Sequence, residues 1–134
     1  IIRSLASIHT LIADGEEIFP GVRAVVTAGH TPGHISYVIT SASSERLIAF
    51  GDAFHSPAQL AHPEWLSAAD LNASAVMTAR RQLLDELLQP NTFGFGVHFG
   101  DGAFGRVTNN DAAAPTWDPV PTRVHTPAPR PPSG

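Results

Sequence analysis

The chain has 134 residues, a formal net charge of −4 and no lysine, so it lacks the basic surface that nucleic-acid binding requires. It has no cysteine, which excludes disulfides and thiolate metal sites, and no apolar run near the ~20 residues that span a bilayer. Only 15% of its residues are charged, against a typical ~25%, so we expect another domain or subunit to cover part of the surface.

The chain begins with Ile1, and no basic segment precedes an apolar stretch, so no signal peptide is visible. We therefore expect a processed product or a piece of a longer protein. The compartment stays open on this reasoning, with the cytoplasm favoured.

Strand-like runs dominate the first 40 residues. Within residues 1–19, apolar and polar residues alternate on both sides of Asp14-Gly15, which predicts two short strands in a hairpin. Residues 22–27 form a β-branched run that predicts a buried strand. In the loop that follows, Pro32 and Gly33 exclude a helix.

Residues 35–40 and 47–50 are two strand-like runs joined by a short polar loop, which predicts an antiparallel hairpin. His34 lies just before the first run and Asp52 just after the second. Both side chains are therefore expected at the open end of the hairpin, close together in space.

Residues 68–89 have apolar residues at helical spacing and are predicted to form the one clear helix. Asp70, Asn72 or Ser74 is expected to cap its start, and Pro90 to stop it.

A further strand is predicted over residues 92–99, with its aromatic residues on one face. His98 would share the other face with Gly94 and Gly96, whose missing side chains would leave room for a ligand or an approaching backbone. The domain organisation follows: a partial domain over residues 1–111, a last edge strand within 112–120, and a proline-rich disordered tail over 121–134.

His34, Asp52 and His98 each lie at a glycine-marked break beside an apolar run. Imidazole and carboxylate groups together suit zinc, iron or manganese, and a carboxylate can bridge two ions where a neutral imidazole cannot. The three residues are therefore a sensible half of a dinuclear hydrolytic site.

The sequence around these residues resembles the second half of the domain in the metallo-β-lactamase superfamily. It carries Thr-Pro-Gly-His at 31–34, Gly-Asp at 51–52 and a late His98. The sequence segments at 51–59, 62–65, 78–84 and 104–107 narrow the resemblance to the branch that includes methyl parathion hydrolase and lactonase-like hydrolases. It covers roughly residues 5–121.

The resemblance implies an α/β fold, the C-terminal half of a metallo-β-lactamase-type αβ/βα sandwich, with a mostly antiparallel sheet and one long helix. In the family pattern His34 completes the first metal site, the catalytic Asp52 bridges two ions, and His98 binds the second. The ions are expected to be zinc, with iron or manganese as alternatives. The implied reaction is hydrolysis of an ester, lactone or phosphotriester bond of a small-molecule substrate by a metal-bound hydroxide.

Other polar residues have simpler interpretations. His30 is expected either to donate a hydrogen bond behind the metal ligands or to hold its loop, and His55 either to line the pocket or to be structural. Arg80 is expected in a buried ion pair rather than against substrate. The remaining residues of interest are expected on the surface or in packing: His9, His62, Trp65 and His125.

The family's first metal motif, His-x-His-x-Asp-His, is not in this sequence. The chain alone is therefore expected to have little activity, with the N-terminal half of the domain as its missing partner and a homodimer as a further option. The competing hypothesis is a non-catalytic half-domain or degenerate binding protein that requires a complementary chain.

Overall fold

The computed structural model describes residues 11–109 and 114–121. Its strands are β1 (Glu17–Phe19), β2 (Val22–Val26), β3 (Ile35–Thr40), β4 (Arg46–Ala49), β5 (Thr92–Phe95), β6 (Phe104–Thr108) and β7 (Thr116–Pro119). Its helices are α1 (Ala58–Ala61) and α2 (Ala73–Leu87), with short 3₁₀ turns at Gly51–Ala53 and Gly100–Gly102. No helix within these residues is long and apolar enough to cross a bilayer.

The strands form one seven-stranded sheet in chain order. Neighbouring strands are antiparallel except for β4 and β5, which run parallel. A parallel pair needs a long crossover, and here the crossover contains both helices. The predicted α/β architecture, with a mostly antiparallel sheet and one long helix, is confirmed.

The long helix α2 begins later than predicted, at Ala73 instead of residue 68. The Asn72 side chain accepts a hydrogen bond from the Ala75 N–H, so Asn72 is the N-cap among the three candidates. Residues just before the helix bond elsewhere, because the N–H groups of Leu71 and Asn72 both donate to Gly29 O. These contacts hold the segment before α2 against the loop that carries His30.

The core lies between the sheet and the helices. Its members are Val25, Val38, Ile48, Phe50, Ala53, Phe54, Leu60, Leu83, Leu84, Leu87, Phe99 and Val107, with Trp117 packed against them. Phe50 and Phe54 are fully buried on either side of the Gly51–Ala53 turn, so the core anchors this turn at both ends.

The strand predicted over residues 92–99 ends at Phe95. Residues beyond it turn back, and the Phe99 N–H donates to Gly96 O so that the Phe99 ring enters the core. The space beside the two glycines is filled: a Cβ on Gly94 would meet Trp117, and one on Gly96 would meet Phe50 and Phe99. These glycines were predicted to make room for a ligand or an approaching backbone; the space is instead filled by packed side chains, chiefly aromatic.

The first hairpin agrees with the prediction where the structure describes it after the turn. Asp14-Gly15 is a turn, and β1 follows it as expected and pairs with β2 across Pro20-Gly21. Residues 13–16 run beside β2, with Gly15 N–H donating to Ala24 O and Val26 N–H to the Asp14 carboxylate.

Of the strand expected before this turn, residues 11 and 12 form no strand, and the earlier residues lie outside the described part of the chain. His9, His125 and the predicted disordered tail after residue 121 also lie outside it.

Candidate metal centre

Asp52 lies in the 3₁₀ turn that directly follows β4. The turn begins at Gly51, whose φ of +52° is a left-handed conformation that favours glycine. With the core holding both flanks of this turn, the Asp52 carboxylate projects from the edge of the sheet, where its side chain remains 42% exposed. The carboxylate is thus rigidly mounted and open to solvent.

His98 lies in the turn after β5. Because β4 and β5 are parallel and paired, with Ala49 opposite Phe95, the residues after both strands emerge at the same edge of the sheet. His98 Nε2 donates to Asp52 Oδ1 at 2.7 Å. The parallel crossover therefore brings together two residues that are far apart in sequence.

His34 lies just before β3, at the same edge. Its Nδ1 is 3.1 Å from Thr27 O and 2.8 Å from Thr27 Oγ1, and its Nε2 accepts the Asp52 N–H at 3.0 Å. The ring lies against Gly51, where a Cβ would approach Nε2 to 2.8 Å. His34 and Asp52 are adjacent, as the hairpin predicts, but His34 Nε2 faces the Asp52 backbone.

His30 connects this edge to the interior. Its Nδ1 donates to the buried carboxylate of Asp70 at 3.1 Å, and its Nε2 lies 3.8 Å from Asp52 Oδ2. Asp70 also accepts the Ser67 N–H at 2.8 Å. His30 is therefore held by a carboxylate from beneath while it faces the carboxylate of the candidate centre.

Arg80 holds this arrangement from inside the core. Its guanidinium is fully buried, lies 3.4 Å from Asp70, and donates to Ala53 O at 2.7 Å. It also donates to Pro63 O at 3.0 Å and Trp65 O at 2.7 Å. The expected buried ion pair is present, and Arg80 ties α2 to the Asp52 turn and to the loop after α1.

His55 lies three residues after Asp52, and its ring stacks on that of His98 at 4.8 Å between centroids. Its Nε2 lies 3.9 Å from Asp52 Oδ1, and its buried Nδ1 has no hydrogen-bond partner among the described residues. Gln59 Oε1 accepts the His55 N–H at 2.7 Å, and Gln59 Nε2 donates to Trp65 O at 2.7 Å. The buried Gln59 therefore fixes the backbone that carries His55.

The environment shifts three pKa values in directions that suit metal binding. Burial lowers the pKa of His34, although Thr27 and Asp52 oppose the shift. Burial, together with His98 and His30, lowers the pKa of His55. The hydrogen bond from His98 lowers the pKa of the Asp52 carboxyl. Neutral imidazoles and an ionised carboxylate are the forms that bind metal ions.

Two groups of three residues place one potential ligand atom each within 4.8 Å of one another: Asp52 with His55 and His98, and His30 with His55 and Asp70. His34 belongs to neither group. Two imidazoles and a carboxylate form a donor set that suits zinc and related divalent ions, so the residues of the first group fit a metal site.

Five residues named from the sequence meet at this edge: His30, His34, Asp52, His55 and His98. The contacts that support them were not predicted. Asp70 was expected only as a helix cap, and Gln59 had no assignment, since no sequence pattern predicts the bond of Asp70 to His30 or that of Gln59 to the His55 N–H. His62 and Trp65 stack on each other at 4.1 Å, and His62 is in neither group of potential metal ligands.

Three solved structures share this architecture. The dizinc quorum-quenching lactonase AidC, in complex with a product, superposes with a TM-score of 0.75 at 19% sequence identity. The match covers 93% of this chain and 42% of the AidC chain. The hydrolase AbOPH of the beta-lactamase superfamily gives 0.72 at 23% identity, with coverages of 84% and 38%. A probable metal-dependent hydrolase from Staphylococcus aureus gives 0.68 at 19% identity, with coverages of 86% and 41%.

The chain has the metallo-β-lactamase-type fold. It spans about two fifths of the length of each of these three hydrolases, so it corresponds to part of the metallo-β-lactamase-type domain. The resemblance stated from the sequence motifs is confirmed at the level of fold. No protein-family profile matches the sequence, and no curated protein matches it.

Proposed function

We propose that this chain is part of a metal-dependent hydrolase that acts on an ester, lactone or phosphotriester bond of a small molecule. The main support for the proposal is the 2.7 Å hydrogen bond between His98 Nε2 and Asp52 Oδ1. The Asp52 N–H also donates to His34 Nε2, so all three predicted ligands are adjacent. The fold is shared with metal-dependent hydrolases, of which AidC is a dizinc lactonase with a product in its structure.

The proposed centre holds two divalent ions, zinc before iron or manganese. Bound divalent ions supply Lewis acidity, which makes water a nucleophile near neutral pH and stabilises negative charge on a substrate oxygen. The two oxygens of Asp52 face different partners, Oδ1 towards His98 and Oδ2 towards His30, which suits a bridging carboxylate. His98 would hold one ion, and His34 would hold the other if its Nε2 gave up the Asp52 N–H.

The remaining ligands come, in this proposal, from a complementary segment that carries His-x-His-x-Asp-His. An apolar face of the sheet supports such a partner. Register places Ile39, Leu47 and Phe93 in one row across β3, β4 and β5, and they line an open groove of about 540 Å³ together with Phe104 and Val120. Exposed apolar surface of this kind marks an interaction site.

A second copy of the chain is the other candidate for covering this groove. Size-exclusion chromatography with light scattering separates the two: a defined homodimer supports the second copy, whereas an unpaired chain that binds a separately expressed N-terminal segment supports the complementary half.

A non-catalytic half-domain is the second candidate function. It is favoured by the contact between His34 Nε2 and the Asp52 N–H, which occupies a proposed ligand atom with a structural hydrogen bond. In this alternative the same sheet edge is a degenerate site, and the chain works only as a binding or structural partner.

The coding sequence upstream of Ile1 distinguishes these functions. A reading frame that contains His-x-His-x-Asp-His supports the hydrolase, and its longer product should hydrolyse a lactone or phosphotriester with zinc, losing activity in Asp52→Ala. A frame without the motif supports the binding protein. Robust turnover by the 134-residue chain alone, lost in Asp52→Ala, would contradict the need for a complementary segment.

A further inference from the structure

We propose that His55 is the third protein ligand, with Asp52 and His98, of one divalent cation that this chain binds by itself. The inference rests on the proposed metal centre and adds a ligand that the motif pattern does not assign. It concerns the 134-residue chain before any complementary segment joins it.

The donor spacing supports a single cation among these three residues. Two donors about 2.0–2.2 Å from a tetrahedral ion lie roughly 3.4 Å apart. Asp52 Oδ1 lies 2.7 Å from His98 Nε2 and 3.9 Å from His55 Nε2, so the two separations bracket that value. The potential ligand atoms of all three residues lie within 4.8 Å of one another, so small side-chain movements bring them towards one ion.

The two imidazoles lie beside the same carboxylate. Their rings stack with centroids 4.8 Å apart and an interplanar angle of 18°, so one ring must tilt for both in-plane nitrogen lone pairs to reach a common ion. The Asp52 and His98 side chains are 42% and 43% exposed, so a cation reaches them directly from solvent. The backbone bond to Gln59 keeps His55 in place before the cation arrives.

His55 is also free to coordinate. Its Nδ1 has no hydrogen-bond partner within the described part of the chain, and its Nε2 lies beyond hydrogen-bond distance of Asp52. His34, by contrast, must give up the Asp52 N–H at 3.0 Å before Nε2 can bind a metal. A cation at this site replaces the bond between His98 Nε2 and Asp52 Oδ1, but His55 itself gives up no hydrogen bond to join it, whereas His34 must give up one.

Zinc titration of the purified, chelator-stripped chain tests the inference by calorimetry, with His55→Ala, His34→Ala and His62→Ala compared. His62 is the matched control, since it is a histidine that belongs to neither group of potential metal ligands. We expect one zinc per chain, at least ~10-fold weaker binding in His55→Ala, a smaller loss in His34→Ala and none in His62→Ala.

Nitrogen NMR spectra of the histidine rings test the inference on the wild-type chain alone, so the result does not depend on whether a variant folds. On zinc addition, the ring nitrogens of His55 and His98 should shift together, saturating at one equivalent.

Zinc binding that persists in His55→Ala, or that shifts only His34 and His98, would overturn the inference and leave the proposed hydrolase site standing. A chain that binds no zinc at all also overturns it. The proposed hydrolase function has its own test: it fails if the protein encoded by the longer reading frame shows no hydrolase activity with zinc.

Discussion

The side chains of Asp52 and His98 meet at 2.7 Å although 46 residues separate them in the chain. The parallel pairing of β4 with β5 causes this meeting, since it delivers the turns after both strands to one edge of the sheet. Everything else at the candidate centre is arranged around that pair. His34 lies on the Asp52 backbone, His55 stacks on His98, and His30 links Asp52 to the interior.

Replacement of Gly51 by alanine should strain the backbone of the Asp52 turn and thereby displace side chains of the candidate centre. Gly51 has a φ of +52°, and a Cβ there would lie 2.8 Å from His34 Nε2. We expect Gly51→Ala to reduce the free energy of unfolding by about 1–3 kcal/mol and to displace the His34 ring. Urea unfolding measures the first effect, and the ring chemical shifts of His34 measure the second.

Gly33→Ala is the matched control, because a Cβ at Gly33 meets nothing within 4 Å. Equal stability losses in Gly33→Ala and Gly51→Ala would show that the contact between Gly51 and His34 does not constrain the site.

Removal of the Arg80 guanidinium should be costly. Arg80→Met leaves the buried Asp70 carboxylate without its cation and removes a donor from three carbonyl oxygens, of which Trp65 O keeps its bond from Gln59. Breaking one side of a buried pair costs about 3–5 kcal/mol, so urea denaturation should show a loss of that size. Arg81→Met, at the exposed neighbouring position of α2, should change stability by less than about 0.5 kcal/mol.

The double variant Arg80→Met/Asp70→Asn separates charge from packing. It should recover part of the lost stability, because no uncompensated carboxylate remains. A double variant that is less stable than Arg80→Met would mean that Asp70 contributes mainly through its bonds to His30 and Ser67.

The apolar groove should make the isolated chain associate. Ile39 and Phe104 line the groove and are 40% and 37% exposed. We expect the wild-type chain to self-associate or aggregate, and Ile39→Thr/Phe104→Thr to raise the monomer fraction measured by light scattering. Val26→Thr, at a similarly exposed apolar position outside the groove, is the control. A wild-type chain that is monodisperse and melts cooperatively as a monomer contradicts this prediction.

Stability of the metal-free chain should fall in mild acid. Burial, opposed by Asp52 and reinforced by His30, lowers the pKa of His34 below its ordinary value of 6.5. The unfolded chain therefore binds the proton first as the pH falls. The His34 contribution is complete above pH 6.5 and is lost as the pH falls towards the lower pKa of the folded state. His55 shifts in the same direction.

Urea unfolding in the presence of a chelator, at about pH 7.5 and about pH 5.5, measures this dependence. His34→Gln should flatten it. Equal stability of the wild-type chain at both pH values would show that neither histidine is held in its neutral form.

Local sequence patterns predicted the parts of the site that depend on strands consecutive in the chain. The β3–β4 hairpin follows from two apolar runs around a short polar loop, and it alone places His34 beside Asp52. The Asn72 cap was likewise among the residues expected at the start of α2, because its signal is local.

The rest depends on contacts that sequence periodicity does not encode. The alternation of aromatics with glycines after Thr92 looks like a strand to residue 99, but the chain turns once Phe99 can enter the core. The role of Asp70 depends on a bond to Arg80 ten residues later and a bond to His30 forty residues earlier. His55 gains its position from the buried Gln59 amide, which has no sequence signature.

Metal content per chain tests the central claim most directly, namely that the Asp52 edge of this sheet is a metal centre. Elemental analysis for zinc, iron and manganese should be run on the purified wild-type chain, on Asp52→Asn and on Asp101→Asn. Asp101 is an exposed carboxylate in the neighbouring 3₁₀ turn and serves as the control. We predict near-stoichiometric metal in the wild type and in Asp101→Asn, and its loss in Asp52→Asn. A wild-type chain that carries no more metal than Asp52→Asn would contradict the account.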